Sequence, residues 1–294
     1  MQKITIEEIF RTESPLKGER VTNVIPVNGG CIHDAWCLDL ETGRQLFAKT
    51  TSVKNSSMLQ FEAKGLDVLS QAVNTSYIKV PKPLSIQEIK NTSILILPWF
   101  NLLEGDEKKL GHGLALLHKE TSKNNTEGFG WGEDGFIGNN PQIGGWESTW
   151  GECFVNLRLI PQMKIATKWG LNFDNKKVLS KITNFLNEHE PLPSLVHGDL
   201  WKGNAATNKT GEGVLFDPAV WWADREVDIA MTKLFGGFSK QFYSSYEEVF
   251  PLSSSFHQRI EIYNLYHLLN HANLFGGYYK HECLSILKRL DNIL

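Results

Sequence analysis

Apolar runs broken by turn formers mark the first hundred or so residues as strand-rich. Val21–Val27 reads as a strand, followed by the turn Asn28-Gly29-Gly30. Residues 31–40 make a second strand, and Glu41-Thr42-Gly43-Arg44 closes a hairpin into residues 45–50. From about residue 56 to residue 72, Met58, Leu59, Leu66 and Leu69 recur near helical spacing, so one helix interrupts the strands. Ile94-Leu95-Ile96-Leu97 is an apolar run suited to a buried strand, and Pro98 stops it. Beyond residue 100 the helical period takes over. Leu110, Leu114, Leu117 and His118 share one helix face, and Tyr263, Tyr266, His267, Asn270 and His271 share another. Val214-Leu215-Phe216, between Gly213 and Asp217, is a short strand among these helices. No internal repeat is visible. The pattern predicts an α+β protein of two lobes: a five-strand, one-helix N-lobe over residues 1–99 and a larger, mainly helical C-lobe over residues 100–294, joined near Pro98-Trp99.

Composition narrows the partners. The chain has 294 residues, 41% hydrophobic and 21% charged, with a formal net charge of -3. That balance gives no general pull toward nucleic acid or an anionic membrane. No apolar run approaches the roughly 18 residues of a spanning helix. The start, Met1-Gln2-Lys3-Ile4-Thr5-Ile6-Glu7-Glu8, has early acids where a signal peptide needs an apolar stretch, so a cytoplasmic location is expected. Cys31, Cys37, Cys153 and Cys283 are too sparse for a disulfide framework, and none forms a C-x-x-C pair for zinc.

The sharpest chemistry lies in His197-Gly198-Asp199-Leu200-Trp201-Lys202-Gly203-Asn204, with Asp217-Pro218 following a short β segment. Phosphoryl transfer to a hydroxyl needs a group that orients the attacking oxygen and accepts its proton, and oxygen ligands for Mg²⁺. An Asp with an Asn five residues on, then a second Asp after a short strand, is how a protein-kinase catalytic loop arranges these groups. Asp199 is then the base, Asn204 a metal ligand and Asp217 the principal metal ligand. Each residue singly reads as a turn former; the three in order at this spacing favour the chemistry. In the N-lobe, Gly29-Gly30 between two strands lets backbone N–H groups approach phosphate, although an ordinary hairpin turn reads the same way. Lys49 ends Leu46-Phe47-Ala48-Lys49 where a kinase has the lysine that contacts the α/β-phosphates, and Glu62 on the next helix can pair with it.

These residues resemble the aminoglycoside phosphotransferase and choline kinase superfamily, whose fold is protein-kinase-like. Further segments resemble fructosamine kinases (ketosamine 3-kinases): Gly29-Gly30-Cys31-Ile32, Phe129-Gly130, Pro141-Gln142 with Trp146 and Trp150, and Arg158-Leu159 with Gln162. Arg225-Glu226-Val227-Asp228-Ile229-Ala230-Met231-Thr232, Phe235-Gly236-Gly237-Phe238 and Tyr266-His267-Leu268-Leu269-Asn270-His271 extend the likeness from about residue 20 to about residue 280. The resemblance implies transfer of the γ-phosphate of ATP, with Mg²⁺, to the 3-hydroxyl of a ketosamine, either a small molecule or a glycated protein lysine. The unstable 3-phosphate then eliminates, which is deglycation. It also implies that Trp201 contacts the sugar, for which core packing is the plain alternative. Pro98 stands at the hinge where many relatives carry Glu, so backbone groups beside it, at Leu97 and Trp99, are expected to read the adenine. Asp224 stands where His is common and bears on the acceptor pocket; Asp228 resembles a buried acid that braces the catalytic loop.

His267, Asn270 and His271 share a face with metal-binding geometry, but no acidic or Cys ligand accompanies them, so a pocket wall or core hydrogen bonding is expected. Cys31 follows the Gly pair, and Lys49 nearby would favour its thiolate. Oxidation there would obstruct the phosphates or link two chains into a homodimer; an inert hairpin residue is the alternative. Two competing functions remain: a kinase for an aminoglycoside or choline-like acceptor, and a redox-switched nucleotide-binding pseudokinase.

Overall fold

A computed structural model describes residues 5–13, 16, 18–27, 33–171 and 176–293. The described chain opens with α1 (Ile6–Thr12), a helix the apolar pattern does not announce. Its start is a capping box: the Thr5 hydroxyl accepts the Glu8 N–H at 3.2 Å, and the Glu8 carboxylate accepts the Thr5 N–H at 2.8 Å. Of the two early acids, Glu8 is thus a capping residue of this helix. Among the described residues up to Pro98, α1 and a second α-helix, Ser56–Ala72, thus stand where the sequence pattern predicts a single α-helix.

Three strands follow, β1 (Val21–Val27), β2 (Asp34–Leu40) and β3 (Gln45–Ser52), then α2 (Ser56–Ala72), β4 (Ile78–Lys79), β5 (Ser85–Ile89) and β6 (Thr92–Pro98). Five of them form an antiparallel sheet in the order β1-β2-β3-β6-β5. Both faces are covered, and β6 shows how. Ile94 and Ile96 point to the cluster that holds Ile9 and Phe10 of α1. Leu95 and Leu97 point to the opposite cluster, with Leu59, Leu66 and Leu69 of α2. Period-two alternation between two dry faces makes the run uninterruptedly apolar.

The rest of the chain is built on α3 (Lys108–Thr121), α4 (Trp150–Cys153), α5 (Ile160–Ala166), α6 (Lys176–Asn187), α7 (Glu226–Leu234), α8 (Lys240–Val249), α9 (Phe256–Phe275) and α10 (Tyr278–Ile293). A π-helical turn, Phe154–Leu159, joins α4 to α5. Short strands sit between helices: β7 (Phe129–Trp131), β8 (Gly135–Ile137), β9 (Asn140–Gln142), β10 (Gly145–Glu147), β11 (Pro193–Val196), β12 (Ala205–Thr207), β13 (Gly213–Leu215) and β14 (Trp221–Asp224). They pair as β10-β7-β14-β11, as β12-β13-β4 and as β8-β9. The expected strand at Val214 exists, displaced by one residue. Among the described residues, no helix is long and apolar enough to cross a membrane.

Candidate active site

β11 delivers the chain into the loop that carries Asp199, and backbone geometry fixes its first turn. Gly198 has φ +82°, and a Cβ there would stand 2.0 Å from the Ala219 carbonyl oxygen, so only glycine fits. The fully buried Asp228, in the first turn of α7, accepts the N–H groups of His197 at 2.7 Å and Gly198 at 2.9 Å. Its third donor is His118 Nε2 of α3 at 3.2 Å. Burial opposes the Asp228 charge, but His118 and the other donors outweigh it and hold the carboxyl below its usual range. Behind His118 the relay continues, with the Tyr246 hydroxyl 2.9 Å from His118 Nδ1 and itself accepting from Arg225 at 3.0 Å.

His197 closes the loop from the other side. Its Nε2–H donates to the Phe216 carbonyl at 2.9 Å, and Nδ1 accepts the Asp199 N–H at 3.3 Å. Burial pushes its pKa down, which suits this neutral, doubly engaged ring. The His197 backbone also accepts from the Ala219 N–H at 2.9 Å, tying the Asp199 loop to the Asp217 segment.

Asn204 Nδ2 donates to the Asp199 carbonyl at 2.9 Å and to Asp199 Oδ2 at 3.0 Å. Asp199 Oδ1 is enclosed and has no hydrogen-bond partner. Burial raises the Asp199 pKa to about 7, the Asn204 hydrogen bond working against the rise and the Asp217 charge adding to it. An unpartnered carboxylate oxygen poised near neutrality suits a proton acceptor. Asp217 has φ +55°, a left-handed backbone that residues with a Cβ adopt rarely. Lys49 ion-pairs with it and with Glu62 of α2, the latter at 2.7 Å. Although burial works against the Lys49 charge, Asp217 and then Glu62 prevail and raise its pKa, so the ammonium stays charged.

One cavity of about 1130 Å³ gathers these groups. Lys49, Glu62, Asp199, Asn204 and Asp217 line it, as do Leu97 and Trp99 from the end of β6 and Trp201 from the loop. Apart from Asp224, the described residues singled out from the sequence for nucleotide, metal or acceptor thus face one space. Gly29, Gly30 and Cys31 lie outside the described residues. The side-chain oxygens of Asn204 and Asp217 fit a hard cation such as Mg²⁺.

Other expectations divide. Asn270 and His271 line the cavity, whereas His267 is fully buried behind them with neither ring nitrogen hydrogen-bonded. Burial pushes the His267 pKa down to about 3. Asp224 is absent from the described cavity lining; it is buried, accepting from the Tyr263 hydroxyl at 2.6 Å and lying 3.2 Å from His189. His189, Asp224 and Glu226 offer ligand atoms within 4.8 Å of one another, but Glu226 is held by a bidentate Arg259 at 2.7 and 2.9 Å. The Glu226 oxygens of that cluster are therefore already engaged by protein. Sequence reasoning missed His118, whose helix-face pattern reads only as packing, and His33, which lines the cavity near Lys49 and Asp217.

A sheet lobe with a buried lysine–glutamate pair, facing a loop Asp–Asn pair and a second Asp, defines the protein-kinase-like class of phosphotransferases. Within that class the fructosamine kinase family model matches residues 5–292, and the chain belongs to this family. A Synechocystis protein described as a probable ketoamine kinase is 39% identical over 267 residues, covering 90% of this chain and 88% of its own. The chloroplastic protein-ribulosamine 3-kinase of Oryza sativa subsp. indica is 34% identical over 281 residues, 92% of this chain and 79% of its own. A crystal structure of a candidate fructosamine-3-kinase from Haemophilus somnus superposes with a TM-score of 0.83 at 26% identity, covering 92% of each chain.

Proposed function

We propose that the protein transfers the γ-phosphate of ATP to the 3-hydroxyl of a ketosamine, on a protein lysine or a small amine. Asp199 Oδ1 accepts the hydroxyl proton while the oxygen attacks the γ-phosphorus, and the bond to ADP breaks. Lys49, held by Glu62, contacts the α/β-phosphates, and backbone groups at Leu97 and Trp99 read the adenine. Asn204 and Asp217 would hold Mg²⁺, whose charge offsets that of the triphosphate. Trp201 offers a flat face to the sugar C–H groups. Residues 1–99 act as the nucleotide lobe and residues 100–294 as the catalytic and acceptor lobe. The 3-phosphate then eliminates and frees the amine, so the reaction serves deglycation, in the cytoplasm. Cys31, beside the phosphate-binding Gly29-Gly30, is the point at which oxidation would stop turnover or couple two chains.

The observation that carries this reading is the unpartnered Asp199 Oδ1, on a carboxylate whose Oδ2 accepts from Asn204 Nδ2, set in the cavity that also holds Lys49, Glu62 and Asp217. Homologues named as ketoamine and ribulosamine kinases support the acceptor class. The test is ADP release by purified protein across ribulose-lysine, fructose-lysine, choline and an aminoglycoside. ADP formed with a ketosamine alone is the expected result. Turnover of choline or the aminoglycoside without any ketosamine would leave the kinase fold standing and remove the acceptor assignment.

A further inference from the structure

Beyond Trp201 the cavity wall continues as a contiguous set of rings. Trp201 and Phe235, which follows α7, meet edge to face with centroids 6.0 Å apart. Phe235 lies 4.7 Å from His271 of α9 and 6.2 Å from Tyr279 of α10. His271 in turn lies 5.7 Å from Phe275 and 5.2 Å from Tyr279. All five rings line the cavity, and Phe275 is 56% exposed at its mouth. Leu274 extends the same wall. The polar edge of His271 is partly spent, because Nδ1–H donates to the His267 carbonyl at 2.8 Å.

Charge is distributed unevenly in this space. Among the described lining residues the only carboxylates are Glu62, Asp199 and Asp217. Each is already engaged, Glu62 and Asp217 by Lys49 and Asp199 by Asn204. The ring wall beyond Trp201 therefore carries no acid of its own. A ketosamine whose 3-oxygen meets Asp199 has its amine nitrogen three bonds from C3, within about 4 Å by covalent reach. With the sugar on Trp201, the next ring in the wall is Phe235, followed by His271, Tyr279 and Phe275, so an amine substituent that runs along this wall meets those rings. The secondary ammonium gains from the aromatic faces. A hydrocarbon or aryl substituent gains from leaving water. A substituent with a second charged group, such as the α-ammonium of lysine, finds no carboxylate there and loses hydration.

We propose that this wall is the subsite for the amine's substituent, and that it selects ketosamines whose amine carries an apolar or aromatic group. The proposal rests on the ketosamine reading above. The experiment measures kcat/KM for ribulosamines of benzylamine, of methylamine and of the lysine side chain, in wild type, Phe275→Ala and Phe275→Glu. The benzylamine adduct is expected to exceed the lysine adduct by roughly tenfold, a ratio typical of pocket discrimination. Phe275→Ala should remove most of that gain, lowering the methylamine adduct far less. Phe275→Glu should shift preference toward the lysine adduct by supplying the missing carboxylate. Turnover of all three adducts at similar efficiency, or an equal effect of Phe275→Ala on each, overturns the subsite alone. No turnover of any ribulosamine or of fructose-lysine overturns the ketosamine reading and the subsite together.

Discussion

Asp199 shows how one side chain is made both useful and costly. Its folded pKa, about 7, lies above the ordinary carboxylate value, chiefly through burial. The folded state therefore binds its proton more readily than the unfolded chain. Stability from this group is greatest below the unfolded value near 4 and is lost as pH rises through about 7. Asp199→Asn should accordingly raise Tm at pH 8 by roughly 2–4 °C, about 1 kcal/mol, while turnover falls on the order of 10²–10⁴-fold. A Tm gain that persists unchanged at pH 4, or turnover within tenfold of wild type, would contradict the assignment. Asp217→Ala tests the metal side: MgATP binding and rate should weaken together, with altered metal dependence. Unchanged metal titration would remove Asp217 from that role. Gly203 bears on Trp201, since a Cβ at residue 203 would stand 2.3 Å from the indole ring. Gly203→Ala should displace the indole, changing Trp fluorescence and raising KM for the ketosamine about tenfold with little change for ATP. Equal KM changes for both substrates would assign Gly203 to general loop structure. Asp199, Asn204 and Asp217 are legible in sequence because their spacing is set by a short loop and one β turn. His118 is not legible, because its partner Asp228 lies 110 residues away.

At the scale of elements, α7 earns its place through its first turn. Asp228 joins α7 to the end of β11 and, through His118, to α3, and its three donors are all buried. Asp228→Ala would leave two N–H groups and a histidine unsatisfied, costing about 3–5 kcal/mol. Because its pKa is depressed, the Asp228 contribution is present above the usual carboxylate range and is lost as pH falls through its lower folded value. Chemical denaturation at neutral pH checks this, and a loss below about 1 kcal/mol would show that α7 does not brace the loop. Strand β6 was readable because both its faces are dry, so its apolar run has no gap. Strand β5, by contrast, has no buried residue and lacks that contrast with its surroundings. Helix α1 was hidden for another reason: seven residues carry only two buried side chains, and the signal is a cap rather than a period. The short C-lobe strands, several of three residues, are fixed by tertiary pairing and leave no period to detect.

For the whole molecule, the N-lobe sheet with α2 supplies Lys49 and Glu62, and the C-lobe loops supply Asp199, Asn204, Trp201 and Asp217. The Lys49–Asp217 ion pair spans 168 residues of sequence, so the cleft exists only when both halves are folded and apposed. The passage from a strand-rich N-terminal region to a mainly helical one is legible from the change of hydrophobic period near residue 100. The joint cavity is not, because no local pattern encodes the meeting of β3 with the segment after β13. The central claim is chemical, and mass spectrometry of the product tests it most directly. Incubation of the protein with MgATP and ribulose-lysine should add one phosphate mass to the substrate. Loss of the sugar phosphate and appearance of unmodified lysine should follow, and Asp199→Asn should form neither product. A phosphate mass that remains stable, with no lysine released, would place the phosphate on another hydroxyl and contradict 3-phosphorylation.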